Sequence, residues 1–194
     1  MTKTPIRMTF RELLEYDDGA STRHELINGM LIEMPPESEE NDFMAIWLQF
    51  ELAKQINFRQ IRLHSLVMEV PEFLNLPKNR YPDLVVLQPV HIAQMRELGK
   101  LAITLGMEPP QLVVEIVSPG KDNRRRDYLE KRRQYEARGI PEYWIVDPVE
   151  NQVVILTLTD GKYCEQTFRG GQRLKSSAFP KLDLSAEQII NAET

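Results

Sequence analysis

The chain has 194 residues, 42% hydrophobic and 27% charged, a balance that excludes disordered and collagen-like classes and is expected to bury one core. Its formal net charge of −5 argues against a protein that coats nucleic acid with basic surface, because affinity for phosphate backbones comes mainly from Lys and Arg. Cys164 is the only cysteine and His24, His64 and His91 are scattered, so no intramolecular disulfide closes and no zinc-type ligand spacing appears. The opening residues carry Lys3 and Arg7 without the apolar stretch of a signal peptide, and no later run reaches the roughly 20 apolar residues of a membrane span. A cytoplasmic protein with no membrane partner is expected.

Thr9 followed by Glu12 reads as a capping box opening a short helix through Leu13 and Leu14 that ends near Asp18-Gly19. Asn28-Gly29, flanked by residues 24–27 and 30–34, predicts a hairpin. Glu37, Glu39, Glu40 and Asp42 then form an acidic cluster. From 43 to about 58, Phe43, Ile46, Trp47 and Phe50 step by three and four, which predicts a helix with that face turned inward. Residues 61–70 alternate like one strand, and 83–87 and 112–117 are short apolar strands opened by prolines. The long connection between the last two is expected to hold a helix around 92–101.

Residues 112–146 read as strand, helix, strand, which predicts a right-handed crossover between parallel strands. The helix lies near 123–138, stopped by Gly139 with Pro141 beyond it, and 143–146 is the second strand. Lys121, Arg124, Arg125, Arg126, Lys131, Arg132, Arg133 and Arg138 concentrate here, so a local basic face is possible despite the acidic total. The tail predicts an edge hairpin, 152–158 and 162–168 about Asp160-Gly161, and a small helix over 185–191.

Three charged residues carry potential chemistry. Glu115 sits in Leu-Val-Val-Glu-Ile-Val, a run apolar on both alternating faces and therefore a strand buried on both sides. A carboxylate there must be neutralised, paired with a cation or bound to a metal ion. A structural ion pair satisfies that requirement as well as a ligand role does. Asp83 follows Pro82 at the start of another core strand; alone it is an ordinary turn residue. With Glu115 it offers two carboxylates to one point, a set that selects hard cations such as Mg2+ or Mn2+. On the crossover helix Tyr128, Lys131, Arg132 and Tyr135 share a face, so one cation is expected to point at the sheet. Periodicity does not choose between Lys131 and Arg132, and Asp127 offers Lys131 an i,i+4 surface pair as the bland alternative.

Pro82-Asp83, then Glu115-Ile116-Val117-Ser118-Pro119, then Asp127, Lys131 and Tyr135 at four-residue steps, then Gly139-Ile140-Pro141-Glu142-Tyr143-Trp144-Ile145-Val146-Asp147-Pro148 together resemble the Uma family of putative restriction endonucleases, within the PD-(D/E)XK nuclease superfamily. Arg23-His24-Glu25-Leu26-Ile27-Asn28-Gly29 and Met34-Pro35-Pro36 match its opening block. The resemblance implies an α/β fold, a mixed central β-sheet flanked by helices with the active site where two core strands diverge. Here it would be one domain over residues 1–194 with its catalytic core from 23 to 148 and a C-terminal hairpin. It further implies Mg2+, with Mn2+ as a substitute, held by Asp83, Glu115 and the backbone carbonyl of Ile116, with Glu25 as an additional acidic residue. Val117 stands where the superfamily's lysine is usual, and that lysine maps onto Lys131. Asn41 stands near the place of a histidine common in the family.

The expected activity is metal-dependent endonucleolytic hydrolysis of phosphodiester bonds, in DNA more than in RNA, with Asp83, Glu115 and Lys131 as the catalytic residues. Lys121, Arg124, Arg125 and Arg132 would guide the nucleic-acid backbone, and a homodimer would present two sites to two strands. Two other readings stay open: a catalytically silent nuclease-fold binding or assembly module, and a phosphodiesterase acting on RNA or a small phosphorylated molecule.

Overall fold

The computed structural model describes residues 7–17, 19 and 22–192, so the readings of Lys3 and Asp18 lie outside it. Thr9 caps α1 (Phe10–Glu15) with both bonds of the capping box in place. β1 (His24–Ile27) and β2 (Met30–Glu33) form the expected hairpin. Asn28 at φ 53° and Gly29 at φ 81° supply the two positive φ values that a type I′ turn requires.

α2 (Glu39–Ala53) starts earlier than the predicted 43–58, because the Ser38 side chain caps it by accepting from the Asn41 N–H, and it ends earlier, with Lys54 as its C-cap. Its inward face also differs from the expected one. Phe43 and Phe50 are exposed, whereas Met44, Leu48 and Leu52, at four-residue spacing, are buried beside Ala45 and Trp47. That row packs with Leu84 and Val114 in one core cluster, so contact with the sheet, which periodicity cannot see, selected between two adjacent apolar rows.

The stretch 61–70 is two strands, not one. β3 (Ile61–Leu63) and β4 (Val67–Glu69) are separated by a bend in which His64 adopts φ 33°. β4 pairs with β5 (Asn79–Arg80) and, in parallel, with β7 (Ala102–Ile103) in a three-stranded sheet. β6 (Leu84–Val86) leads into α3 (Pro89–Leu98), which ends earlier than predicted because Gly99 takes a left-handed cap at φ 69°.

β8 (Leu112–Ile116) and β9 (Glu142–Asp147) are parallel neighbours joined by a continuous helical crossover. The crossover runs as α4 (Lys121–Arg125), a π-helical stretch (Arg126–Lys131) and α5 (Arg132–Arg138). β10 (Gln152–Thr159) and β11 (Lys162–Arg169) make the edge hairpin, and Ser185 caps α6 (Ala186–Asn191). The main sheet has six strands in the order β11-β10-β9-β8-β6-β3, and β8–β9 is its parallel pair. It is a mixed central sheet with helices on both faces. Among the described residues no helix is long and apolar enough to cross a membrane.

Strand alternation sorts the sheet's residues between two cores. Leu112, Val114, Ile116, Trp144 and Val146 join α2 and α6 on one face, while Val113, Val117, Tyr143 and Ile145 join Met95 and Tyr135 on the other. Glu142 ties the C-terminal segment to this sheet. Its buried carboxylate accepts from Trp144 Nε1 at 2.6 Å, Ser176 Oγ at 2.6 Å and the Ser177 and Ala178 N–H groups, and also from the Ser177 hydroxyl. Glu142→Ala leaves those donors buried and unpaired, and is expected to lower stability by roughly 3 kcal/mol, read from the midpoint of urea unfolding.

Candidate active site

The β6–β8 ladder pairs Val85 with Val113 and Leu84 with Val114. Continuing that register by one residue sets Asp83 opposite Glu115, with both side chains on the face that carries Val85 and Val113. Both are buried, at 6% and 1% exposure. Asp83 is anchored by the Ile116 N–H, which donates to its Oδ2 at 2.6 Å. The crossover helix packs on the same face, so the three sequence-predicted charges converge. Lys131 Nζ lies 2.7 Å from Glu115 Oε2 and 2.7 Å from Asp127 Oδ1. The choice between Lys131 and Arg132 is thereby resolved: Lys131 is buried at the carboxylates, and Arg132 reaches outward to pair with Glu165.

The pair between Lys131 and Asp127 exists, but it is no surface pair, since Asp127 is only 1% exposed. Both residues fall in the π-helical stretch, a distortion often found at functional sites. One turn later the Tyr135 hydroxyl donates to Glu115 Oε1 at 2.5 Å. Burial first, with Asp83 and Asp127 adding to it, raises the Glu115 pKa to about 7 against the downward pull of Lys131. Burial disfavours the Lys131 ammonium, yet Asp127 and Glu115 outweigh it and hold its pKa above the ordinary lysine value. The Tyr135 hydroxyl is held well above its ordinary pKa by burial and by Glu115. It therefore stays a donor.

Around this centre lie charges that spacing alone did not single out. Glu25 is buried and bound through both oxygens, each 3.2 Å from Arg80 Nη1, and Arg80 also donates to Gln134 Oε1 at 2.9 Å. Arg126 Nε lies 3.7 Å from Asp127 Oδ1. Burial disfavours the Arg126 guanidinium, but Asp127, Glu115, Glu25 and Asp83 together raise its pKa. The carbonyl of Ile116 accepts from Asn41 Nδ2 at 3.0 Å, so Asn41 touches the strand beside the site.

On the far side of Asp83, His64 Nδ1 stands 3.5 Å from Asp83 Oδ1 and Nε2 stands 3.2 Å from Asp42 Oδ1. Burial lowers the His64 pKa, and Asp83, Glu37 and Asp42 outweigh that and raise it above the ordinary histidine value. Of these neighbours, Asp127 and Tyr135 had a signal, their four-residue steps from Lys131. His64 had none, because the chain bend that aims it is set by β3 and β4 entering different sheets.

The basic residues expected to meet nucleic acid do not form one free surface. Arg124 pairs with Asp147 and stacks 4.3 Å over the Tyr128 ring, Arg132 pairs with Glu165, and Arg125 lies 3.4 Å from Glu130 with most of its side chain exposed. Lys121 is exposed.

Comparison with known proteins agrees with this architecture. A solved structure described as "a putative nuclease belonging to DUF820 from Anabaena variabilis ATCC 29413" superposes with a TM-score of 0.67 at 17% identity, over 95% of this chain and 98% of that one. At that identity the likeness shows the fold alone, a mixed central sheet flanked by helices. No curated protein sequence matches the chain. The Uma2 family, described as "Putative restriction endonuclease", matches residues 10–187, from the first helix into the last. That span takes in both sheet carboxylates and the crossover helix, and the chain belongs to the Uma2 family.

Proposed function

We propose that the protein is a Mg2+-dependent endonuclease that hydrolyses phosphodiester bonds in DNA. The observation that carries this reading is the convergence on one sheet face of Asp83, Glu115 and Lys131, residues far apart in sequence, with Lys131 Nζ 2.7 Å from Glu115 Oε2. The donor set suits a hard cation, being all oxygen: Asp83, Glu115 and the Ile116 carbonyl, whose bond from Asn41 leaves it a second lone pair. Glu115 Oε2 makes no aligned hydrogen bond although it is buried. The carboxylates of Glu25, Asp83, Glu115 and Asp127 also outnumber the cations set among them, Arg80, Lys131 and Arg126.

Asp83, Glu115 and Ile116 would hold the ion, which when bound supplies Lewis acidity to the phosphate and lowers the pKa of water. Glu25, bound by Arg80, is fitted to balance charge from behind the site. Lys131, fixed between two carboxylates, holds an ammonium where negative charge grows as a water oxygen bonds to phosphorus and the bond to one sugar oxygen breaks, that oxygen taking up a proton. Lys121 and Arg125 are the exposed basic residues suited to guide the backbone. Arg124 and Arg132 would have to leave their acidic partners to do so. A homodimer would present two such sites to two strands.

Purified protein with Mg2+ or Mn2+ is expected to nick supercoiled plasmid, and Asp83→Ala and Lys131→Ala to abolish nicking. Equal nicking by all three would trace the activity to a contaminant and sink the proposal. One observation favours a second reading, a nuclease fold kept as a binding module: Glu115 already has Lys131 and Tyr135 as partners and needs no ion to stay buried. Calorimetric titration with Mn2+ separates the two. Absent binding, or binding indifferent to Glu115→Ala, selects the module.

A further inference from the structure

Glu37, His64 and Asp83 come from three separate segments: the residue before the Ser38 cap of α2, the bend after β3 and the residue before β6. One ligating atom from each lies within 4.8 Å of the others. Both ring nitrogens of His64 are shut off from solvent and neither makes an aligned hydrogen bond, so the imidazole, its side chain 16% exposed, stands between the carboxylates of Asp83 and Asp42 as charge neighbours only. The 3.5 Å between Nδ1 and Asp83 Oδ1 is long for a hydrogen bond. It is close to the roughly 3.3 Å that separates two ligands at about 2.0 Å from one tetrahedral ion. Asp42 Oδ1, 3.2 Å from Nε2, occupies the position of the carboxylate that usually accompanies a metal-bound histidine on its other nitrogen. Glu37 is oriented by Arg23 Nη2, 2.7 Å from its Oε1, and Glu37, Asp42 and Asp83 still leave the group negative against that one arginine.

We infer that Glu37, His64 and Asp83 form a second divalent-cation site, adjacent to the one proposed for Asp83 and Glu115 and sharing Asp83 with it. The ligand types separate the two. An all-oxygen set accommodates Mg2+, whereas an imidazole nitrogen with two carboxylates selects a transition ion such as Mn2+ or Zn2+. The inference stands on the His64 geometry and does not require that the protein cleave DNA.

Pulsed electron paramagnetic resonance of the Mn2+-loaded protein tests it, because a coordinated imidazole imprints 14N modulation on the manganese signal. The wild type is expected to show that modulation. His64→Asn, which keeps a residue type that tolerates the positive φ, is expected to lose it. Glu37→Gln should weaken Mn2+ binding at this site on the order of tenfold, while Glu115→Gln should leave the modulation intact. Modulation missing from the wild type, or persisting in His64→Asn, overturns the site. Retained modulation in a protein that nicks no plasmid would overturn the nuclease reading and leave this site standing.

Discussion

Lys131→Met is expected to abolish cleavage and also to lower the unfolding free energy by roughly 3–5 kcal/mol, the range for removing one partner of a buried ion pair. Lys131 Nζ is 2.7 Å from both Glu115 and Asp127, and neither oxygen of Asp127 makes an aligned hydrogen bond. Without the ammonium two buried carboxylates are left facing each other and Asp83, with Arg126 no nearer than 3.7 Å to Asp127. Methionine keeps most of the side-chain volume, so the loss reports charge and not a cavity. Urea unfolding at neutral pH measures it. Because the proposed ion is also a cation beside Glu115, Mn2+ should restore part of the stability lost by Lys131→Met, through its preference for the folded chain. An unchanged midpoint in the variant would mean that Lys131 does not hold the carboxylates together, and the site reading would go with it.

The local devices of the fold were legible because each is a short-range rule. Thr9 with Glu12, Asn28 with Gly29, and Asp160 with Gly161 each determine a cap or a turn within a few residues, and all three sit where expected. The strands at 84–86 and 112–116 were legible as apolar runs, and their pairing put Asp83 and Glu115 on one face. The faces of α2 were not, since residues 43–52 offer two overlapping apolar rows and only the sheet decides between them. Residues 61–70 read as one strand, although the alternation slips by one residue at His64-Ser65, where apolar positions 61 and 63 give way to 66, 68 and 70 and the backbone turns. His64 entered the neighbourhood of Asp83 through that turn, so a reading by ligand spacing found nothing. The inward choice of Lys131 over Arg132 also needed three dimensions, because both lie on the helical face that carries Tyr135. What separates them is Glu165 on the edge strand, which gives Arg132 an outward partner.

Glu115→Gln is expected to separate catalysis from stability in the opposite way. Cleavage should fall on the order of 10²-fold or more, since losing the charged ligand removes several kcal/mol of charge stabilisation at the phosphate. Folding should not suffer. Glutamine occupies the same volume; its amide oxygen can accept from Lys131, and its NH2 can donate to the Tyr135 hydroxyl, which accepts as readily as it donates. Burial has raised the wild-type carboxyl from an ordinary 4.5 to about 7, so between those values the folded chain binds a proton that the unfolded chain has released. With a chelator present, this group makes wild-type stability decline as pH rises from about 4.5 to about 7, and the deficit persists above. The variant lacks that decline: its stability relative to wild type should be unchanged below the lower value and greater above the upper one. Parallel stability curves for the two proteins across this range would show that Glu115 is not strained by its burial, and the case for a carboxylate kept there for chemistry would lose its energetic support.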